Sequence, residues 1–217
     1  LVSRIPGRDV EQPAAAHCTA IGDWLAAMHA AQSDFVARWP NPRGVVWRST
    51  AAAEVRQWLP AEQHRLLDEA LAADAQLAAL DLPRGLVHAD LFRDNALFAD
   101  ADHAVLGGVI DFYFAGEDAL LFDLAVVAND WCVVAGLPDA AREDALLAAY
   151  GRRRPLTAAE RRAWPAMRQV AALRFWLSRL LDAQAPRSGT MVLIKDPDEY
   201  ARLLALLSGA AAQAGQS

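Results

Sequence analysis

Leu86-Val87-His88-Ala89-Asp90-Leu91-Phe92-Arg93-Asp94-Asn95, followed by Gly108-Val109-Ile110-Asp111-Phe112, is the stretch that decides how this 217-residue chain is read. The short apolar, partly β-branched runs Gly85 to Val87, Ala96 to Phe98 and Val105 to Ile110 are bounded by Asp, Asn and Gly, the pattern of small strands joined by loops. Asp90 and Asn95 fall five apart in a loop between two such strands, and Asp111 ends the next strand. One carboxylate base and two oxygen ligands can therefore converge. Phosphoryl transfer from a nucleotide asks for that set: a carboxylate to take or orient a hydroxyl proton, and hard oxygen ligands for Mg²⁺. Magnesium gives up water reluctantly, so one Asn and one Asp suffice as its protein ligands.

Outward from this stretch the chain reads as helix. Ala14 to Ala31 places Cys18, Ile21, Leu25 and Met28 at spacings of three and four, one apolar helical face. Pro60 stands before a second periodic run, Ala61 to Leu80, where its missing N–H costs nothing. Glu117 to Val134 repeats the pattern with Leu120, Leu124, Val127 and Trp131. Thr157 and Glu160 form a capping-box signature ahead of Met167, Val170, Leu173, Leu177 and Leu180, a long helix that Pro165 should kink or restart. Asp196, Pro197 and Glu199 open a C-terminal helix. Trp24, Trp58, Trp131, Trp164 and Trp176 are expected in the core, and Arg152 to Arg154 read as a solvated helix end.

Composition bounds the partners. Hydrophobic residues make up 54% and charged residues 22%, within the globular range. No apolar run reaches the ~18 residues that span a bilayer. A net charge of −6 repels polyanions, so a small-molecule partner is expected, with neither nucleic acid nor membrane. Cys18 and Cys132 form no CxxC pair and read as buried thiols of a reducing, cytoplasmic compartment. The basic residues are 20 Arg and a single Lys, Lys195.

His88-x-Asp90-x-x-x-x-Asn95 followed by Ile110-Asp111-Phe112 resembles the catalytic loop and metal-binding motif of the aminoglycoside phosphotransferase and choline kinase superfamily. Leu91 to Asn95, Asp111 to Phe114, Asp118 to Leu121, Asp123 to Ala125 and Asn129 to Cys132 are similar to its homoserine kinase branch. So are Leu173 to Leu180 and Lys195-Asp196-Pro197. The resemblance implies a mainly α chain with a small β element, the C-terminal lobe of a protein-kinase-like fold. It implies ATP as co-substrate, Mg²⁺, and transfer to a small-molecule hydroxyl, L-homoserine giving O-phospho-L-homoserine in threonine biosynthesis. By it Asp90 is the catalytic base, Asn95 and Asp111 are metal ligands, and His88 and Asp123 brace the loop. Members often carry Gly between the His and the Asp, where this chain has Ala89.

Such kinases also need an N-terminal β-rich lobe whose strand lysine reaches the α/β-phosphates. No glycine-rich loop is visible, Lys195 follows the catalytic loop, and Arg4 to Arg8 resembles the stretch just past the hinge. The expected organisation is a C-lobe over 1–217 without the nucleotide lobe. It comprises a post-hinge segment (1–13), helices (14–84), catalytic and metal loops on short strands (85–112), a helical acceptor-binding part (113–208) and a frayed tail (209–217). The uncovered surface near Gly7, Phe98 and Val109 is then expected to expose apolar area and to invite self-association.

The acceptor, a small zwitterion, calls for a guanidinium for its carboxylate and an acid or amide for its ammonium. Arg93, Arg174, Arg179, Asn129 and Asp130 are the candidates. Alternatives stay open: another hydroxylated amine or sugar as acceptor, a non-catalytic binding module, or a zinc or hydrolytic site using His88, Asp90 and Asp94. Taken singly, Asp and Asn at strand ends are ordinary turn residues. His17, His29, His64 and His103 make no metal spacing and read as structural.

Overall fold

A computed structural model describes residues 4–32, 39–184 and 196–214. Lys195 lies outside them. The described elements are α1 (Ala15–Ala30), α2 (Val45–Val55), α3 (Ala61–Ala78), β1 (Arg84–Val87), β2 (Ala96–Asp100), β3 (Val105–Val109), β4 (Gly116–Ala119), α4 (Leu120–Trp131), β5 (Val133–Val134), β6 (Leu137–Pro138), α5 (Ala140–Arg153), α6 (Ala158–Gln184) and α7 (Pro197–Ala214). The chain is mainly helical with small antiparallel sheets, as expected. It divides into two compact units, Leu1–Pro42 with Leu82–Arg162, and Arg43–Asp81 with Ala163–Ser217.

The first unit carries every strand described. Its largest helix pairing is α1 on α5, with Cys18, Ile21, Leu25, Leu146, Ala149 and Tyr150 all buried. The approach is close because Gly22 has no side chain: a Cβ there would sit 2.7 Å from the Leu146 carbonyl oxygen. α1 starts without an oxygen cap from Ala14, and His17 substitutes by accepting the Ala14 N–H on Nδ1 at 2.9 Å. Its Nε2 lies 2.8 Å from the carbonyl oxygen of Ala101. At α5 the Asp139 carboxylate accepts the Arg142 N–H at 2.9 Å, an ordinary N-cap.

Three two-stranded sheets are present among the described residues, β1–β4, β2–β3 and β5–β6. The helix expected from Glu117 begins instead at Leu120, because Gly116–Ala119 pairs antiparallel with β1, Leu86 opposite Glu117. Without that partner the β1 backbone groups would lack their ladder. The same helix ends at Trp131, short of Val134, and the chain turns back through Ala135 (φ 50) and Gly136 (φ 80) in the two-residue hairpin β5–β6. The segment before α1 adds to the edge of β2: Arg8 N–H donates to Phe98 O at 3.1 Å and Phe98 N–H to Arg8 O at 2.8 Å. Gly7 (φ 130) permits this, since a Cβ would fall 2.6 Å from the Phe98 carbonyl oxygen. Phe98 and Val109 are consequently 1% and 9% exposed, so the apolar area exposed near them comes from other side chains. The exposed apolar side chains of this region are Val105, Ile110, Phe112 and Tyr113.

The second unit is helical. Arg48 on α2 grips Asp74 on α3 through Nε (2.8 Å) and Nη2 (2.7 Å), a bidentate pair almost closed to solvent. Its buried apolar residues include Leu67, Ala70 and Leu77 of α3, Val170, Leu173, Trp176 and Leu177 of α6, and Leu203, Leu204 and Leu207 of α7. α6 runs through Pro165 as one helix rather than restarting there. Its entry is the reciprocal box read from the sequence, with Glu160 N–H to Thr157 Oγ1 at 3.1 Å and Thr157 N–H to Glu160 Oε2 at 2.8 Å. α7 continues to Ala214, so the tail expected to fray from Gly209 is helical over most of its length. Two further expectations are corrected. Trp58 closes a 3-10 turn and is 36% exposed. Arg154 is not solvated, because the fully buried Glu160 carboxylate holds its Nη2 at 2.8 Å.

Replacing Gly22 by Ala should push α1 off α5 and lower stability by about 1–3 kcal/mol, read as a shifted urea midpoint with the m-value unchanged. At the β2–β3 turn, the exposed Asp100 carboxylate holds the His103 imidazolium above the ordinary histidine value of 6.5, mainly through their 2.9 Å hydrogen bond. This contribution is present below that value and is lost as pH rises through the raised one. A chemical-shift titration should find the His103 midpoint raised, and Asp100→Asn should return it.

Candidate active site

The loop between β1 and β2 is moulded on α4. Asp123, in the first turn of α4 and fully buried, accepts the His88 N–H on Oδ2 at 2.7 Å and the Ala89 N–H on Oδ1 at 2.8 Å. Two turns further along α4, Asp130 accepts the Arg93 N–H at 2.8 Å and pairs with its guanidinium at 3.1 and 3.2 Å. Trp131 Nε1–H donates to the Leu91 carbonyl at 3.1 Å. Backbone groups of residues 88, 89, 91 and 93 are thus fixed by one helix, and Asp90 falls within the span they bound.

The loop also braces itself. His88 is fully buried; its Nδ1 accepts the Asp90 N–H at 3.3 Å and its Nε2 donates to the Ile110 carbonyl at 3.0 Å, which selects the Nε2–H tautomer. The ring packs on Phe112, centroids 4.5 Å apart. His88 therefore ties the β1–β2 loop to the strand end that carries Asp111. Asn95 Nδ2–H donates to the Asp90 carbonyl at 2.8 Å, so its Oδ1 is the amide atom suited to a metal. The Asn95 carbonyl accepts the Ile110 N–H at 3.0 Å, which sets Asn95 beside Asp111 at the open end of the β2–β3 hairpin. Asp111 is exposed, in the left-handed region (φ 63), with its Oδ1 3.3 Å from the Tyr113 nitrogen. Non-glycine residues adopt that conformation at a cost, and it commonly marks functional turns. Ala89, between His88 and Asp90, is left-handed as well (φ 64).

Asn95 and Asp111 fit a magnesium ion by donor type, each offering a hard oxygen. Among the described residues no group of three or more His, Cys, Asp or Glu side chains could hold a metal ion, which gives the zinc alternative no cluster.

The acceptor candidates fall in different surroundings. Arg93 and Asp130 hold each other, and Arg93 Nη1 also reaches the Glu11 carbonyl at 2.6 Å. Burial pushes the Asp130 carboxyl above its usual range, while the Arg93 guanidinium and N–H pull it back. Asn129, beside Asp130, is buried. Arg174 and Arg179 belong to the second unit. Arg174 is buried against the Phe175 ring at 3.8 Å, and Arg179 binds the Asp196 carbonyl at 2.8 Å and the Glu199 carboxylate at 2.6 Å. His29, read as structural, and Tyr150, which the sequence reading did not single out, turn up beside the loop's support: His29 Nε2 lies 3.2 Å from Asp123 Oδ2, and the Tyr150 hydroxyl 2.7 Å from His29 Nδ1. No motif marks either of them.

Comparison with known proteins gives the family. Residues 1–170 match the phosphotransferase enzyme family, and the chain belongs to it. It is 50% identical over 205 residues to a homoserine kinase of Methylobacillus flagellatus, a match covering 94% of this chain and 63% of that protein. A homoserine kinase of a Janthinobacterium species is 45% identical over 212 residues, 95% of this chain and 65% of its own length. The chain thus spans under two thirds of these curated relatives. Its fold superposes on that of an amicoumacin kinase solved in complex with AMP-PNP, Ca²⁺ and Ami, with a TM-score of 0.64 at 17% identity over 95% of this chain and 62% of the other.

Ala89 supplies a test of the loop. Its left-handed backbone strain and its buried methyl group oppose each other in Ala89→Gly, so stability should stay within about 1 kcal/mol. Ala89→Val, a β-branched side chain forced into the same conformation, should cost more than 2 kcal/mol, roughly the strain of such an outlier. Chemical denaturation of both variants checks this.

Proposed function

We propose that this chain carries the catalytic machinery of an ATP-dependent kinase that phosphorylates the hydroxyl of L-homoserine. The observation that supports it most is the clamped His88–Asn95 loop, in a chain 50% identical to a homoserine kinase. In this reading Asp90 is the general base. It sits between backbone groups fixed by Asp123, Asp130 and Trp131, so its carboxylate is aimed before the acceptor arrives. The acceptor oxygen attacks the γ-phosphorus, the bond to the β–γ bridging oxygen breaks, ADP leaves, and the hydroxyl proton passes to Asp90.

Asn95 and Asp111 would hold Mg²⁺, which when bound neutralises charge on the nucleotide phosphates. His88 keeps Asp111 and Asp90 in one frame through Ile110. The single lysine, Lys195, follows the loop, so a phosphate-binding lysine of the strand type would come from sequence outside this stretch. Among the acceptor candidates, Arg93 and Asp130 act in this reading by holding the loop.

Asp90→Asn, in the protein that carries this chain, should lower phosphoryl transfer from Mg-ATP to homoserine by roughly 10²–10⁴-fold, the usual contribution of a general base, with the thermal midpoint retained. Coupled ADP release with detection of O-phosphohomoserine measures it. Normal turnover in that variant would remove Asp90 from the chemistry. An acceptor screen returning another amino alcohol or a sugar would keep the kinase and replace its substrate.

A further inference from the structure

Asp123 receives three donors: the His88 N–H (2.7 Å), the Ala89 N–H (2.8 Å) and His29 Nε2 (3.2 Å). All lie in a region closed to water, with the side chains of His29 and Asp123 both 0% exposed. Only one of the three donors is a side chain. The two backbone groups belong to the loop itself, so they cannot fix the carboxylate independently of what it is meant to hold. The third donor comes from α1, a different element from the loop, and shares Oδ2 with the His88 N–H, so it restricts rotation of the carboxylate about its last torsion.

His29 is itself fixed. A carboxylate only accepts, so Nε2 carries the hydrogen towards Asp123, and Nδ1 accepts from the Tyr150 hydroxyl at 2.7 Å. The two rings meet edge to face, with centroids 5.7 Å apart. Tyr150 is fully buried on α5, and desolvation lifts its phenol well above the ordinary value of 10.0, so the hydroxyl remains a donor. Arg154, above the Tyr150 ring at 5.6 Å, and Glu160 are the charged groups behind it. A relay of side chains therefore runs from α5 through α1 to α4 and ends on two backbone amides next to Asp90.

We propose that His29 and Tyr150 are positioning residues of the transfer reaction, setting the Asp123 carboxylate and through it the His88–Asp90 backbone. The inference rests on the kinase reading for its consequence in turnover, but its structural content stands apart from that reading. Neither residue touches the reacting atoms. Their loss displaces Asp90 without removing any group that binds nucleotide or acceptor.

The test uses Tyr150→Phe, which keeps the ring in the core and deletes only the hydroxyl, together with His29→Leu and His29→Gln. Amide hydrogen exchange by NMR should accelerate at Ala89 and His88 on the order of 10-fold in Tyr150→Phe and His29→Leu, with amides elsewhere in α1, α4 and α5 little changed. His29→Gln, which keeps an N–H donor, should restore part of the protection. With Mg-ATP and L-homoserine, kcat should fall roughly 10-fold while both KM values move less than about 2-fold, as expected for a misaimed base. Unchanged exchange at 88 and 89 would overturn the proposal, as would uniform acceleration across all three helices or a loss carried in KM. Absence of transfer in the unaltered protein would defeat the kinase reading, while the exchange data would still decide whether this pair sets the loop.

Discussion

A carboxylate sealed from water and satisfied by backbone amides is the constraint on which the rest of the first unit depends. Desolvating such a charge costs several kcal/mol, and the cost is met only where donors surround it in good geometry. Asp123 meets that condition with the amides of His88 and Ala89 and the imidazole of His29. Because two of the donors are consecutive backbone groups, the chain between β1 and β2 must present both towards α4, and Ala89 takes a left-handed conformation between them. The sharp turn that brings Asp90 out of the loop follows from the burial of Asp123.

The same helix sets the far end of the loop. Asp130 and Trp131 lie seven and eight residues beyond Asp123, about two turns, and so share its face. They take the Arg93 amide and the Leu91 carbonyl. Asn95 then turns its amide nitrogen back to the Asp90 carbonyl and shares a hydrogen bond with the strand that delivers Asp111. Base and metal-ligand candidates are thus carried on different elements but referred to one frame. Their outward side is bordered by the exposed apolar side chains of Ile110, Phe112 and Tyr113, which distinguishes this edge from the buried Phe98 and Val109 behind it.

Much of this was legible in the sequence. The periodicity of α1, α3 and α6, the Thr157–Glu160 box and the strands before and after the loop were readable because each depends on residues within a turn or two of one another. The spacing of His88, Asp90, Asn95 and Asp111 was readable for the same reason. The helix starting at Glu117 was misread because its first residues pair with β1, more than thirty positions earlier, and apolar periodicity does not report a distant partner. The hairpin β5–β6 was missed since Ala135 in a left-handed turn carries no glycine signal at that position.

Sequence by itself marked the candidate residues of the loop and the two strands beside it, through residue types at fixed short spacing. Tertiary structure decided what holds them. Arg93 and Asp130, read as groups for an acceptor, are turned on each other because α4 delivers Asp130 to the loop's own amide. His29, read only as structural, and Tyr150, which no sequence signal marks, meet across 121 positions of sequence only when α1 packs on α5. The physical reason is that a hydrogen bond is satisfied by distance in space. Only the fold brings together a donor and an acceptor that the chain itself keeps far apart.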